Sequence, residues 1–227
     1  MENNIPIVEK QEYSINFKVR FDMTNVEVAY LHTHYYGEIY RSNGSTLPEK
    51  QELIGSIDLE MCHLQQIQDI DFDIQEFIEC NINSQLENIF DKKEAKLNTD
   101  FLSIQTSNIT NFNVLIINNI FILPEYRGLQ IAVKIIDLIK FKFKNSCGLI
   151  VGLVIPFQYS TYFNTHDYGK SNLEMNYSNF VTDSELAYFK ILKYAVSMGF
   201  NVANNISNKI IYINTNDIDV KELSFDL

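Results

Sequence analysis

The sequence predicts an α/β (α+β) fold in a single domain, and three observations carry that expectation. An apolar run, Asn113–Leu123, is stopped by Pro124, turns through Glu125–Gln130, and leads into a helical pattern over Ile131–Phe143. A second apolar run, Gly148–Ile155, follows and is stopped by Pro156. Two apolar strands around one helix make a βαβ unit with parallel strands and a right-handed crossover. Upstream, residues 13–21 and Glu52–Met61 alternate with period two, the pattern of half-buried strands. The chain has 227 residues, enough to bury on the order of 70% of its unfolded surface. No Pro-, Gly- or Ser-rich linker divides it, so residues 1–227 are expected to form one unit.

The elements follow in order. Residues 13–21 form a strand, and Val26–Tyr30 is either a strand or a short helical turn. Residues 37–48 read as strand then loop, with Asn43-Gly44 and Leu47-Pro48 as breakers. Glu52–Met61 is a strand. Ile74, Phe77, Ile78, Ile82, Leu86 and Ile89 recur at three- and four-residue spacing, which predicts a helix over 74–90. Lys92–Asp100 is a polar connection. Asn113–Leu123 is expected to be buried on both faces. The helix over Ile131–Phe143 carries polar residues only at Lys134, Asp137, Lys140 and Lys142, and the first three form a narrow wet stripe. Residues 159–183 lack periodicity and form an inserted loop of the kind that serves as a lid or binding loop. Ser184–Met198 is a helix with Thr182, Asp183 or Ser184 as cap and Gly199 as stop. Phe200–Val202 and Ile210–Ile213 close the fold as two short strands.

Charge narrows the function classes. Lys and Arg number 18 against 29 Asp and Glu, a net charge of -11. Phosphate polymers and anionic membranes repel such a surface, so neither nucleic acid nor membrane is an expected partner. No 18-residue apolar stretch spans a bilayer, and the polar start Met1-Glu2-Asn3-Asn4 lacks a secretory signature. Cys62, Cys80 and Cys147 are odd in number and far apart, which fits buried thiols in a reducing cytoplasm. No CxxC or HxxxH pair exists apart from the short step His32-Thr33-His34, so no metal is expected. From Gln51 to Asp91 there is no Lys or Arg but ten acids. That segment is either a solvated acidic face or a surface that recruits a cationic substrate such as an amine.

The turn between Leu123 and Ile131 is the most informative point. It leaves a buried strand and enters a helix N-terminus, where four N–H groups lack intrahelical partners and the dipole is positive. Such a terminus is an anion site, above all for phosphate. Gly128 permits close backbone approach, and Arg127 adds a planar charged donor set.

Residues 120–132, Ile-Phe-Ile-Leu-Pro-Glu-Tyr-Arg-Gly-Leu-Gln-Ile-Ala, resemble the acyl-CoA signature of the GNAT acyltransferase superfamily. Pro124, Glu125, Tyr126, Arg127, Gly128 and Ala132 match it. Gln130 stands where the second Gly usually is; a first-turn position with φ < 0 accommodates it, and its amide can donate to phosphate. Gly148–Gln158 resembles the family's next strand, and Ala187–Phe200 the following helix with its Gly-Phe stop. The resemblance implies a mixed, centrally splayed sheet flanked by helices, as in acyl-CoA N-acyltransferases. Residues 113–158 would be the acyl-CoA-binding βαβ core, 159–183 an insertion, and 184–213 the C-terminal helix and strands. Pantetheine would then pair with the main chain of Ile120, Phe121 and Ile122. The pyrophosphate would lie on Gly128, Leu129, Gln130, Ile131, Ala132 and Val133, with Arg127 nearby. Lys134 is either a phosphate contact or a solvated lysine.

The implied reaction moves acetyl from acetyl-CoA directly to a primary amine, on a small molecule or a protein, without a metal. An N–H near Ile122 would polarise the carbonyl. The family's Tyr acid, four residues before the Gly-Phe stop, falls here on Ala195, leaving the neighbour Tyr194 as a substitute; Tyr188, Tyr159, Tyr162 and water are alternatives. Glu125 is a candidate base or a helix cap. Asn118 and Asn119 stand where some members carry a carboxylate. Asp58 and Glu60 share a strand face, one of which could enter the substrate cleft. His166 has a suitable pKa but sits in the long loop, and Cys147 is expected in the core. Two other classes remain open. One is a catalytically weak or inactive GNAT-like protein that binds CoA or a partner. The other is a protein-interaction module with an obligate partner or a homodimer, built on the 74–90 helix and the 159–183 loop.

Overall fold

The computed structural model describes residues 12–20, 31–42, 51–69, 74–91, 96–102, 109–156, 180–203 and 209–218. Nine strands occur among them: β1 (Glu12–Arg20), β2 (His32–Ser42), β3 (Gln51–Cys62), β4 (Phe90–Asp91), β5 (Lys96–Leu97), β6 (Val114–Ile122), β7 (Leu149–Leu153), β8 (Asn201–Val202) and β9 (Ile210–Asn214). The helices are α1 (Leu64–Asp69), α2 (Ile74–Asn81), α3 (Thr99–Leu102), α4 (Ile131–Phe143) and α5 (Ser184–Ser197). Seven strands form one mixed sheet in the order β1-β2-β3-β6-β7-β9-β8, and β4 and β5 form a separate hairpin. Within the large sheet only β6 and β7 run parallel. The expected α/β class is therefore observed, with the βαβ unit at its centre.

Alternation along the central strands sends side chains to two cores. On one face Ile57, Leu59, Met61, Leu115 and Ile150 meet Ile131, Ile135, Ile136, Ile139 and Phe143 of α4 and Tyr188 and Ala195 of α5. On the other, Cys62, Val114, Ile116, Leu149 and Val151 meet Leu64 and Phe77, Ile78, Leu86, Ile89 and Leu97. The fold is thus a sheet covered on both sides. Asp183 caps α5 by accepting from the Leu186 amide at 2.8 Å. Gly199, at φ 88°, ends it. Gly148 enters β7 so close to the chain at 111 that a Cβ would overlap the Asn111 carbonyl oxygen.

Several expectations are corrected. The 74–90 helix stops at Asn81. Asn83 then accepts from the Gln85 amide through its side chain at 3.0 Å, an Asx turn that competes with helix. Its apolar stripe is nonetheless buried, because the turn and the following 3-10 segment keep Ile82, Leu86 and Ile89 on the same side. The polar connection 92–100 contributes β5 and the start of α3. The wet stripe on α4 is dry at two of its three positions. Asp137 is buried, and Lys140 Nζ reaches it at 3.3 Å and the Met198 carbonyl oxygen at 2.6 Å. A lysine there neutralises the C-terminal end of α5, where carbonyls point outward. Only Lys134 stays exposed, with its ammonium 4.9 Å from the Tyr13 ring centre. The 159–183 loop lies outside the described residues except for 180–183, as do Val26–Tyr30, His166, Tyr159 and Tyr162.

Candidate functional site

The centre of the sheet opens where its two parallel strands part. β6 and β7 pair only from Val114/Leu149 to Ile117/Gly152. Beyond that point each strand follows its antiparallel neighbour instead. β6 stays on β3 as far as Ile122/Gly55, and the Leu123 amide donates to Ile54 at 2.9 Å. β7 stays on β9, and the Val154 amide donates to Lys209 at 2.8 Å. The turning point is a β-bulge. Asp58 faces Asn119 and Leu59 faces Ile117, so Asn118 is an extra residue on β6. A bulge bends its strand and ends pairing. The outer half of β6 is therefore not buried on both faces as expected: Ile120, Phe121 and Ile122 are half-buried.

Main-chain groups of successive strand residues point to opposite edges. The Leu123 amide points to β3, and the Phe121 carbonyl oxygen crowds Gly55 on the same side. Ile120 and Ile122 therefore turn their main chain away from β3, to a side where no described strand pairs with them. The Ile122 carbonyl oxygen there accepts from Arg127 Nε at 3.0 Å. Arg127 also lays its guanidinium 5.0 Å from the Phe180 ring centre. So Arg127 pins the turn to the end of β6, a positioning role that the sequence did not reveal.

The strand then runs through a 3-10 turn, Pro124–Tyr126, into α4. Gly128 has φ 80° and a Cβ there would meet nothing within 4 Å. Gln130 is the N-cap of α4 at φ 58°, ψ 21°, in the left-handed region. The sequence expectation of φ < 0 at Gln130 is thus corrected. No main-chain acceptor among the described residues meets the amides of Gly128, Leu129, Gln130, Ile131 and Ala132. Gly128, Leu129 and Gln130 are exposed, Ala132 and Val133 are half-buried, and Ile131 packs in the core. Gly128, Leu129 and Gln130 thus stand exposed at the positive end of a 13-residue helix, where an anion is favoured.

The catalytic candidates are scattered. Glu125 is exposed and makes no cap, since no side chain caps α4. Tyr194 is 42% exposed beside Ala195, which is in the core. Desolvation raises the Tyr194 hydroxyl pKa, which keeps it protonated. Tyr188 is buried with Lys209 Nζ 4.8 Å from its ring centre, and burial raises its pKa too. Cys147 is in the core, as expected, and burial pushes its thiol up to about 12.

A second cluster lies on the sheet face away from α4 and α5. His34 sits directly opposite Glu60 in the β2–β3 register, and His32 sits diagonally to it. His32 Nε2 is 3.4 Å from Glu60 Oε2, and His34 Nε2 is 3.3 Å from Glu60 Oε1. The His32 ring stands edge-on to His34 at 4.7 Å and to Phe77 at 6.3 Å. Burial pushes the Glu60 carboxyl up, yet contact with His32, the charges of His32 and His34 and a hydrogen bond from Asn118 outweigh it and hold it below the usual range. Nearby His63 is pushed down by burial and by the charge of His32, and its Nε2 lies 3.0 Å from Thr33 Oγ1. Sequence reading passed over this cluster because Glu60 is far from the histidines along the chain. The signal was there: His-x-His on one strand face, and an alternating acid on the next strand.

No protein-family model, curated protein or solved structure matches this chain. No helix among the described residues is long and apolar enough to cross a membrane.

Proposed function

We propose that this chain is an N-acetyltransferase of the GNAT type, which moves acetyl from acetyl-CoA directly to a primary amine. One observation carries this reading: β6 leaves β7 at the Asn118 bulge and runs with an open main-chain edge into the amide-lined turn at 127–132. An open edge accepts an extended amide chain such as pantetheine by backbone pairing, and the turn accepts the pyrophosphate. Ile120 and Ile122 carry the edge contacts, and Ile122 N–H is the donor placed to polarise the thioester carbonyl. The amides of Gly128–Ala132 hold phosphate oxygens, while Arg127 holds the turn in place. A mixed sheet with one parallel pair, β6 and β7, is compatible with this reading.

The net charge of -11 favours a cationic acceptor, such as a polyamine, an aminoglycoside-like compound or an N-terminal amine. The leaving thiolate takes its proton from Tyr194 or from water. Release of CoA thiol, followed against a panel of amines and of neutral hydroxyl compounds, is the test. We expect amine-dependent release well above hydrolysis, with cationic amines fastest. A second reading, a CoA-binding module without catalysis, is favoured by Ala195 at the position where the family places its acid. Binding of CoA with no amine-dependent release would select it.

A further inference from the structure

We propose that His32, His34 and Glu60 form a divalent-metal site of the zinc type, with three protein ligands and one open position. This inference does not depend on the acyltransferase reading. It rests on one side-chain arrangement and on one buried nitrogen that is poorly satisfied within it.

The three side chains offer two imidazole nitrogens and one carboxylate, donors that suit zinc. Their donor atoms all lie within 4.8 Å of one another. Metal–ligand bonds of about 2.0–2.2 Å at tetrahedral angles put neighbouring donors about 3.3–3.5 Å apart. His32 Nε2 is 3.4 Å from Glu60 Oε2 and His34 Nε2 is 3.3 Å from Glu60 Oε1, so each imidazole meets its own oxygen at that spacing and the carboxylate would share the ion through both oxygens or turn to present one. The backbone fixes this geometry. His32 and His34 are two apart on β2 and so share a face, and Glu60 is the direct cross-strand partner of His34.

An ordinary ion pair leaves a residue of polar cost. His32 Nε2 is buried, and its one near partner, Glu60 Oε2 at 3.4 Å, is too distant for a well-formed hydrogen bond. An unsatisfied buried donor or acceptor costs on the order of 1–3 kcal/mol. A cation between the three groups satisfies that nitrogen and both flanking donors together. The surroundings fit as well. Asn118 hydrogen-bonds the Glu60 carboxyl, and Phe77 packs against His32, so one ligand is oriented and another is walled off from water. His34 is 42% exposed, which gives the ion a path in and leaves the fourth position to solvent. Three ligands with an open position are the arrangement of reactive zinc sites rather than closed structural ones. Through Asn118, the Glu60 ligand touches the bulge where β6 and β7 separate.

The test is calorimetric titration of Zn2+ into the full chain after chelator stripping, with Co2+ as a spectroscopic probe. We expect one Zn2+ per chain, with proton release, a raised melting temperature, and tetrahedral-type absorption from Co2+. Glu60→Gln keeps the shape of the side chain and should weaken binding at least about tenfold, and His34→Ala should do the same. His63→Ala, which removes a histidine outside the cluster, should leave both stoichiometry and affinity unchanged. Thermal melts of the metal-free variants establish that each is folded. The proposal is overturned if the wild-type chain takes up no stoichiometric Zn2+. It is equally overturned if Glu60→Gln and His34→Ala bind as tightly as wild type, or if His63→Ala alone abolishes uptake.

Discussion

Gln130 holds a left-handed backbone, φ 58° and ψ 21°, at the N-cap of α4. For a residue with a Cβ that conformation costs roughly 1–2 kcal/mol, whereas glycine adopts it freely. The left-handed residue stands where the chain passes from the 3-10 turn into α4. Gln130→Gly should therefore stabilise the protein by about 1 kcal/mol in urea unfolding, less whatever glycine loses in the unfolded chain. It should leave acetyl-CoA affinity intact or improved. Loss of stability in this variant would mean that the Gln130 side chain makes a contact worth more than the strain. Arg127 shows the complementary case. Its residue type suggests a phosphate ligand, but its Nε is spent on the Ile122 carbonyl oxygen, and its effect on an anion passes through the shape of the turn.

At the scale of elements, periodicity was a good guide wherever burial was strong. The expected helix over Ile131–Phe143 is observed at those bounds, and Glu52–Met61 grows by one residue at each end. Both have an apolar face pressed against a core, so pattern and structure share one cause. The misses have local causes. The 74–90 stripe continued past Asn81, but an Asx turn at Asn83 ended the helix without exposing the stripe. Asp137 and Lys140 looked solvated because they are charged, yet they neutralise each other and the end of α5 inside the helix–helix contact. The parting of β6 from β7 was not legible in the residues themselves. An apolar run reads the same whether it is paired on two sides or one, and a bulge at Asn118 has no sequence signature of its own. The His32/His34/Glu60 cluster needed the β2–β3 register, which no spacing along the chain supplies.

At the scale of the whole molecule, the two cores hold thiols whose titration couples to stability. Burial pushes Cys62 well up and Cys147 from the usual 9.0 to about 12. The folded state therefore keeps protons that the unfolded chain releases above about pH 9. Their contribution is fully present below that pH and is lost as pH rises, by up to about 1.4 kcal/mol per pH unit per thiol. For Cys147 the window runs from 9.0 to about 12. Urea unfolding at pH 8, 9 and 10 should show stability falling with pH, and Cys147→Ala should flatten the slope. Equal slopes in the two proteins would mean that this thiol is not shielded from water.

The proposed acyl-CoA site would hold a polyanionic ligand on a chain of net charge -11, which restricts the favourable contact to the turn between β6 and α4. The most direct measurement is calorimetric titration of acetyl-CoA and of free CoA into the purified protein, beside Arg127→Ala. We expect one-to-one binding near micromolar affinity, weakened at least about tenfold by Arg127→Ala as the turn loses its tie to β6. No heat and no thermal shift with either ligand would contradict the acyl-CoA site.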